Sequence, residues 1–266
     1  MTEDRSLVPA APGSISFGQT DLRPGDFIPP RVKIVQLMSD ENQTGLAKPG
    51  DFWNTLTSES YGSTLKFLPI QQFMNRVLLV RDERKDEVEA ALSDGRKGKD
   101  AFHFAEGNST LKCRSLDMQH GQGEPGIDCD ACPLSKWRPG NLPPLCTEVY
   151  NVAALHEDGD LIIIQFQKSS AKAGKRMFSM MRFVTPGTPP WTRFYEATTH
   201  DETIKGKGTF AVPVVAKTPE VPPTELMRQA QSWFTQLSGL GPIDVTPADD
   251  DEASIDDTVG DGDSPF

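Results

Sequence analysis

The sequence predicts a mainly-β chain with a few short helices, an α+β arrangement in which strands dominate. Several short segments alternate polar and apolar residues, which is the period of a half-buried strand. The 22 glycines and 22 prolines among 266 residues are typical of strands joined by many turns. An Asp-Gly turn between the apolar runs 149–155 and 161–166 adds a strong hairpin signal. These observations favour strands over a helical bundle.

The first third of the chain is predicted to hold four strands and one helix. Residues 31–37 alternate polar and apolar positions, and a Pro-Gly-Asp turn at 49–51 separates this strand from the next. Charged residues after the fourth strand predict a short exposed helix. The later strands and this helix are expected at 52–56, 64–70, 76–81 and 82–92.

Two further helices and two strands are predicted after the hairpin. Methionines at three- and four-residue spacing predict a helix at 169–184, with its basic residues largely on other faces. Strands are expected at 191–199 and 209–215. Apolar residues recur at helical spacing in 225–238, so this helix is expected to pack on the strand domain or on a second copy of the chain.

Charge divides the chain into a nearly neutral body and an acidic end. The net charge is −11, but residues 244–266 hold nine of the 38 acidic residues and none of the 27 basic ones, which leaves 27 basic against 29 acidic residues elsewhere. Together with a start rich in Pro, Gly and Ser, this predicts four parts. They are a flexible arm at 1–27, an ordered domain at 28–217, a linker with the last helix at 218–240 and a disordered acidic tail at 241–266.

Several classes of protein are disfavoured. The longest dense apolar run, at 161–164, is far shorter than a transmembrane helix. The first residues lack the basic and apolar regions of a secretion signal, so we expect a cytoplasmic protein without membrane contact. A Walker loop, a Ser/His/Asp grouping and paired carboxylates on regular elements are not found in the sequence. We therefore expect a protein that is not an enzyme.

The four cysteines predict a structural zinc site. Their spacing is C-x15-C-x2-C-x13-C, so all four lie within 34 residues. A C-x2-C pair holds one ion from a tight turn, and two flanking thiolates complete a tetrahedral site with no open position for catalysis. The intervening loop has too few apolar residues to build its own core. Free thiols or a disulfide are the alternatives, as are His103, His120 or His156 in place of one thiol. The predicted ligands are Cys113, Cys129, Cys132 and Cys146.

A basic segment with interleaved aromatic residues predicts a surface for single-stranded nucleic acid. Residues 168–217 hold nine basic and three acidic residues. Cations follow the phosphates of a single strand, and aromatic rings stack on its bases. Core aromatics and a solvated lysine face are the ordinary alternatives. The candidate DNA contacts are Lys168, Lys172, Lys175, Arg176, Arg182, Trp191, Arg193, Tyr195, Lys205 and Lys207.

The acidic tail predicts a docking segment for partner proteins. Its last residue combines an aromatic side chain with a free carboxylate, which suits a pocket lined by apolar groups and a basic residue. A solubilising tail is the alternative reading. The acidic residues of the tail are also expected to compete with DNA for the basic surface. The predicted partner-binding residues are Asp261, Asp263, Pro265 and Phe266.

With these motifs in place, the chain resembles the phage single-stranded DNA-binding proteins. The ending Asp-Gly-Asp-Ser-Pro-Phe is similar to the acidic, Pro-Phe-terminated tail of bacterial single-stranded DNA-binding proteins. The body resembles the zinc-containing phage version in the strand from Pro30 to Gln36, the turn at 49–51, the cysteine loop, and the basic run at 168–176 before the strands at 191–195 and 208–213. It departs from that version in having four cysteines rather than a set of ligands with a histidine.

The resemblance implies an oligonucleotide-binding (OB) β-barrel, here enlarged by insertions. It also implies sequence-independent binding of single-stranded DNA in replication, recombination or repair, in the host cytoplasm, with Zn²⁺ in the cysteine loop. The tail is expected to recruit a polymerase, a helicase or primase, or a nuclease. One alternative is a zinc-ribbon adaptor that binds a polymerase through its tail and does not bind DNA. A weaker one is a metal-dependent nuclease that uses acidic residues of a body loop.

Overall fold

The computed structural model describes residues 29–80, 84–93, 100–104, 111–183, 187–204, 208–239 and 243–245. Ten strands and four α-helices lie in these parts of the chain. The strands are β1 (Arg31–Ile34), β2 (Phe52–Asn54), β3 (Glu59–Gly62), β4 (Thr64–Leu79), β5 (Leu111–Ser115), β6 (Gln122–Gly123), β7 (Thr147–His156), β8 (Leu161–Phe166), β9 (Tyr195–Ile204) and β10 (Gly208–Lys217). The helices are α1 (Asp40–Gln43), α2 (Lys85–Ser93), α3 (Ala171–Phe183) and α4 (Thr224–Gly239).

The strands form one curled sheet, a half-barrel, which confirms the prediction of a mainly-β, OB-like fold with a few short helices. The order along the sheet is β10-β9-β4-β7-β8-β1-β2-β3, while β5 pairs with β4 and β6 pairs with β5. All pairs are antiparallel except β1 with β8, which are parallel. No helix in the described part of the chain is long and apolar enough to cross a membrane.

Strand β4 was expected as two strands and is one strand of 16 residues. Pro69 cannot donate a backbone hydrogen bond, and the register shifts between Pro69 and Gln71 where the strand passes this point. Beyond the shift the strand continues through the polar residues Gln71, Gln72 and Asn75, each paired with a residue of β7. The alternation of the sequence is lost there because both faces of the sheet carry polar side chains.

Three neighbours share the length of β4. Its first part, Thr64 to Phe67, pairs with β9, and its last part, Arg76 to Leu79, pairs with β5. Strand β7 pairs along most of its length, from Phe67 opposite His156 to Val77 opposite Thr147. One strand therefore joins the barrel at one end to the cysteine segment at the other.

The Gln36 side chain, just after β1, connects this part of the curled sheet to β10. Gln36 Nε2 donates to the carbonyl oxygen of Ala211 in β10 at 3.0 Å, and the Ala211 N–H donates to Gln36 Oε1 at 3.0 Å. Nearby, Thr199 Oγ1 donates to the carbonyl oxygen of Gly50 at 2.7 Å. The Gln36 amide thus pairs with β10 as a strand would, at the end of the first predicted strand.

One face of the sheet, here called the inner face, holds the larger core and carries α3. Alternate residues of β7 and β8 point to it, among them Tyr150, Val152 and Phe166. Ala173 and Met177 of α3 are buried against them. The helix predicted at 169–184 is therefore confirmed, with a 3-10 turn at Lys168–Ser170 leading into it.

The opposite, outer face of β4, β7 and β8 is covered by α4 and by residues 243–245. Leu226 and Ala230 of α4 pack on this face, which confirms the helix predicted at 225–238. Ile243 and Val245 are buried in the same cluster. The expectation of a structureless segment from residue 241 is therefore wrong for 243–245, because two apolar side chains there complete the outer core.

Replacing Gly174 by alanine should destabilise the fold. A Cβ at this position of α3 would lie 2.7 Å from Cβ of Tyr150 and 2.8 Å from Cβ of Phe166, so the helix has to move off the sheet. Overpacking of this kind costs about 1–3 kcal/mol, and we expect the thermal midpoint of Gly174→Ala to fall by several degrees. Gly239→Ala is the matched control, since no atom lies within 4 Å of the added Cβ. Equal midpoints for the two variants would contradict this packing.

Candidate functional site

All four cysteines line one small cavity at the end of β4. Cys113 lies in β5, Cys129 and Cys132 flank a tight turn, and Cys146 immediately precedes β7. The cavity has a volume of about 20 Å³, which is the room needed for a single water-sized particle, and Arg76 and Leu78 of β4 also line it. The fold thus brings together the four thiols of this 34-residue segment.

Backbone donors surround two of these thiols. Backbone N–H groups of Leu134 and Ser135 lie near the Cys132 sulfur, at the start of the 3-10 turn Pro133–Ser135, and act to lower the pKa of this thiol. Those of Gly126 and Gln122 act in the same direction on the pKa of Cys113. Nearby N–H groups stabilise the thiolate, which is the form of cysteine that binds metal.

The surroundings of the thiols nevertheless oppose four negative charges. Burial raises the pKa of Cys113 and Cys132, and it raises the pKa of Cys146 to about 12. Neighbouring thiolates raise these pKa values further, while Arg76 lowers that of Cys146. As placed, the described residues contain no group of three His, Cys, Asp or Glu side chains close enough to hold a metal ion. The cysteines therefore share a cavity without forming a coordination shell.

The three histidines considered as alternative ligands do not line this cavity. His103 and His120 are exposed, and each bonds a carboxylate, of Glu89 at 2.9 Å and of Asp117 at 2.6 Å. His156 stacks on Tyr61 inside the barrel, with 4.6 Å between ring centroids. All three histidines thus make contacts outside the thiol cavity.

Helix α3 presents a basic face to solvent. Lys172, Lys175, Arg176 and Arg182 are all exposed and lie at helical spacing, whereas Gly174 and Met177 face the core. No carboxylate of the described residues forms an ion pair with any of these four cations. Lys175 Nζ lies 5.9 Å from the centre of the Tyr150 ring. We call these four residues the α3 basic face.

The other predicted DNA contacts lie away from this face. Trp191 is half-buried and its ring centroid is 5.1 Å from that of Phe234 in α4. Tyr195 is 2% exposed and belongs to the inner core. The Tyr195 ring offers no open face to a base because it completes the inner core, and the interpretation of Tyr195 as a stacking residue is corrected accordingly. Trp191 keeps part of its ring exposed, but it packs against the outer core and so does not share a surface with the basic residues of α3.

The remaining predicted cations are less exposed or lie elsewhere in the chain. Lys168 is half-buried in the turn before α3. Arg193 is half-buried, and its Nη1 donates to the carbonyl oxygen of Thr192 at 3.2 Å. Lys205 and Lys207 lie outside the described residues.

Phe183 belongs to this surface and was missed from the sequence. It ends α3, is 68% exposed, and the Arg182 guanidinium lies 5.8 Å from the centre of its ring. The signal was present, since residue 183 follows Lys172 by 11 positions and so falls on the same side of the helix. It was overlooked because an apolar residue in an amphipathic helix is ordinarily assigned to the core.

A row of contacts on the inner face joins the thiol cavity to α3. Arg76, which lines the cavity, forms an ion pair with Glu148 at 2.9 Å. Tyr150 Oη donates to Glu148 at 3.1 Å, and the Tyr150 ring meets that of Phe178 of α3 edge to face. The cysteine segment and α3 are therefore neighbours on one face of the sheet.

The outer face holds residues 243–245 through a ladder of side-chain amides. Asn151 Nδ2 donates to Asn75 Oδ1 at 2.6 Å, and Gln165 Nε2 donates to Asn151 Oδ1 at 3.1 Å. Asn75 and Gln165 in turn donate to the carbonyl oxygens of Ile243 and Val245, at 3.4 Å and 2.7 Å. These buried amides bind the main chain, which fixes it across three strands.

An ion pair adds to this attachment. Arg114 of β5 binds the carboxylate of Asp244, the first acidic residue of the tail. Arg114 is the neighbour of Cys113, so the base of the tail is attached beside the cysteine segment. The predicted partner-binding residues Asp261, Asp263, Pro265 and Phe266 lie outside the described residues.

Comparison with known families gives a match to a phage protein family. Residues 3–110 match the family described as Pam3 phage gp34-like protein. The matched stretch is less than half of the chain and ends before Cys113, so it includes none of the four cysteines and no part of α3. No curated protein matches the chain, and no solved structure does. The similarity supports a phage origin and leaves the activity to be argued from the structure.

Replacing Asn151 by leucine should loosen residues 243–245. Asn151 is fully buried, and its loss leaves Asn75 and Gln165 without their shared partner, at a cost of about 1–3 kcal/mol. We expect a lower urea midpoint and faster hydrogen exchange in peptides covering 224–245. Asn42→Leu makes the same chemical change at an exposed hydrogen bond on α1, and its exchange in 224–245 should equal that of the wild type. Unchanged exchange in both variants would refute the role of the amide ladder.

Proposed function

We propose that this protein binds single-stranded DNA without regard to sequence, in phage DNA replication, recombination or repair. The observation that carries the proposal is the α3 basic face, four exposed cations that form no ion pair with a described carboxylate. The OB-like fold is one that many oligonucleotide-binding proteins use. The similarity to a phage protein family supports the setting.

The arrangement of the α3 basic face favours a polyanion as its ligand. The four cations lie within about 15 Å along the helix axis, and like charges at such separations repel one another. A strand of phosphates relieves this repulsion and releases its own bound counterions, which drives association at low salt. A single small anion would neutralise only part of the surface.

Phe183 favours a single strand over a duplex. Its ring is exposed beside Arg182 at the end of the α3 basic face. An exposed aromatic ring stacks on unpaired bases of any identity, whereas the bases of a duplex already stack on each other. Binding through phosphates and one ring would therefore be sequence-independent and selective for single strands.

We also propose that Cys113, Cys129, Cys132 and Cys146 bind one structural Zn²⁺. Their shared cavity, the N–H groups near Cys113 and Cys132 and the shortage of apolar residues in the loop support this role, and binding would draw the four sulfur atoms closer together than they lie in this structure. A divalent cation would offset the repulsion among the four thiolates. Four thiolates leave no position for a reactive water, so the ion would serve to hold the loop.

For the acidic tail we propose two roles, recruitment of replication or recombination proteins and competition with DNA. The nine acidic residues of 244–266, without a basic one, support both roles. The amide ladder and Arg114 hold the base of the tail on the outer face, away from the α3 basic face. From there the 21 residues of 246–266, which span up to about 70 Å when extended, are long enough to reach a partner or the α3 basic face.

The α3 basic face gives a direct prediction for DNA binding. Arg176→Gln/Arg182→Gln should weaken binding of labelled oligo-dT about tenfold and reduce the salt slope by about 1.4, because each phosphate contact on single strands contributes about 0.7. Fluorescence anisotropy across a salt series measures both. Lys48→Gln/Arg228→Gln removes the same charge from exposed sites elsewhere and should change neither.

The outcome also separates the alternative functions. If neither the full chain nor a chain ending at Val245 binds oligo-dT, while zinc is bound, the adaptor hypothesis replaces this proposal. Stronger binding after removal of 246–266 would support competition by the tail. Cleavage of the oligonucleotide in the presence of Mg²⁺ would favour a nuclease and contradict the expectation that the protein is not an enzyme.

The zinc proposal predicts one ion per chain by elemental analysis. Cys129→Ser/Cys132→Ser should lose the ion and become sensitive to proteolysis between residues 111 and 146, because the loop then lacks its internal link. His120→Ala is the control, since His120 bonds Asp117 rather than facing the cavity, and it should retain the ion. A wild-type chain without zinc, or loss of zinc in His120→Ala, would overturn the assignment.

A further inference from the structure

Trp137, in the cysteine segment between Cys132 and Cys146, is largely open to solvent. Its exposure is 71%, whereas Trp53 is buried and Trp191 and Trp233 pack against the outer core. Tryptophan is highly buried on average because it has the largest apolar surface of any side chain. An exposed tryptophan is therefore a candidate contact for a ligand.

The segment that carries Trp137 is held firmly in place. The neighbouring Arg138 donates through Nε to the carbonyl oxygen of Pro143 at 2.8 Å, and its Nη1 binds the carboxylate of Glu87 in α2. The Arg138 N–H donates to the carbonyl oxygen of Leu142 at 3.0 Å. The ring is thus presented from a fixed backbone, so little ordering of the main chain is needed when a ligand covers it.

The charge around Trp137 favours an anionic ligand. Residues 133–145 contain no acidic residue. Arg138 is paired with Glu87, which leaves Lys136, exposed and adjacent to Trp137 in the sequence, as the cation available to a ligand. An aromatic residue together with a cation is the combination that binds a base and its phosphate.

Trp137 also lies in a segment on the same face of the sheet as α3. Cys113 pairs with Leu78 across β4 and β5, and both line the thiol cavity together with Arg76. Arg76 pairs with Glu148, and Glu148 binds Tyr150, against which α3 packs. A single strand of DNA bound along α3 can continue past Tyr150, Glu148 and Arg76 towards the cysteine segment.

We propose that Trp137 stacks on a base of the single strand that the α3 basic face binds, and so extends the DNA site onto the cysteine segment. This inference rests on the proposed function. It assigns to the segment a direct contact with DNA, in addition to the structural role of its cysteines.

The test compares strands with and without bases, using the full-length chain. Trp137→Ala should weaken binding of oligo-dT about tenfold, the loss expected from one stacked base. It should leave binding of an abasic strand of equal length unchanged, because that strand offers nothing to stack on. Trp137→Phe should restore most of the affinity, and it should remove most of the quenching of tryptophan fluorescence that oligo-dT causes. Trp191→Phe, at a half-buried ring, should keep that quenching.

Three results would overturn the inference in distinguishable ways. If Trp137→Ala binds oligo-dT as the wild type does while Arg176→Gln/Arg182→Gln binds weakly, the DNA site stands and Trp137 is not part of it. If Trp137→Ala loses equal affinity for both strands, the residue does not stack on a base. If the wild type binds neither strand, the proposed function fails as well. Circular dichroism of Trp137→Ala should match the wild type, since the ring is exposed.

Discussion

The pairing of β4 with β7 is the constraint on which the rest of this structure depends. It runs from Phe67 opposite His156 to Val77 opposite Thr147 and spans both the barrel and the cysteine segment. At one end β4 pairs with β9. At the other end β4 lines the thiol cavity, and Cys146, which also lines it, immediately precedes β7. If β4 slipped by one residue against β7, its inner-face side chains would turn to the outer face, which would disturb the contacts of β4 both in the core and at the thiol cavity.

Alternation of side chains along these strands separates the two proposed activities of the protein. Asn75 and Arg76 are consecutive residues, yet Asn75 points to the outer face and holds residues 243–245, whereas Arg76 points to the inner face and lines the thiol cavity. The proposed DNA contacts lie on the inner side and the base of the tail on the outer side. The effects of mutations on the inner face on DNA binding can therefore be measured largely independently of the attachment of the tail on the outer face.

Regular local patterns in the sequence predicted much of the fold, and tertiary packing decided the rest. The β7–β8 hairpin, α3 and α4 were found because their apolar spacing matches their burial, and four clustered cysteines do share one cavity. The length of β4 was missed because polar residues on both faces hide the strand period. Residue type alone does not distinguish Tyr195 and Trp191 from Phe183 and Trp137. Only the packing of α3, α4 and the sheet shows that Tyr195 is buried and Trp191 half-buried, whereas Phe183 and Trp137 are open to solvent.

The Gln36 contact with β10 has a consequence for how copies of the protein can meet. In an edge strand every second residue turns its backbone groups outward, and such an edge invites another chain to add to the sheet. At Ala211 the outward N–H and C=O are both taken by Gln36, and two residues later Pro213 has no N–H to offer. A strand of another chain that approached β10 would find the Ala211 N–H and C=O already bonded to Gln36 and no N–H at Pro213. This edge of the sheet is thus protected at Ala211 and Pro213 from pairing with a strand of another copy.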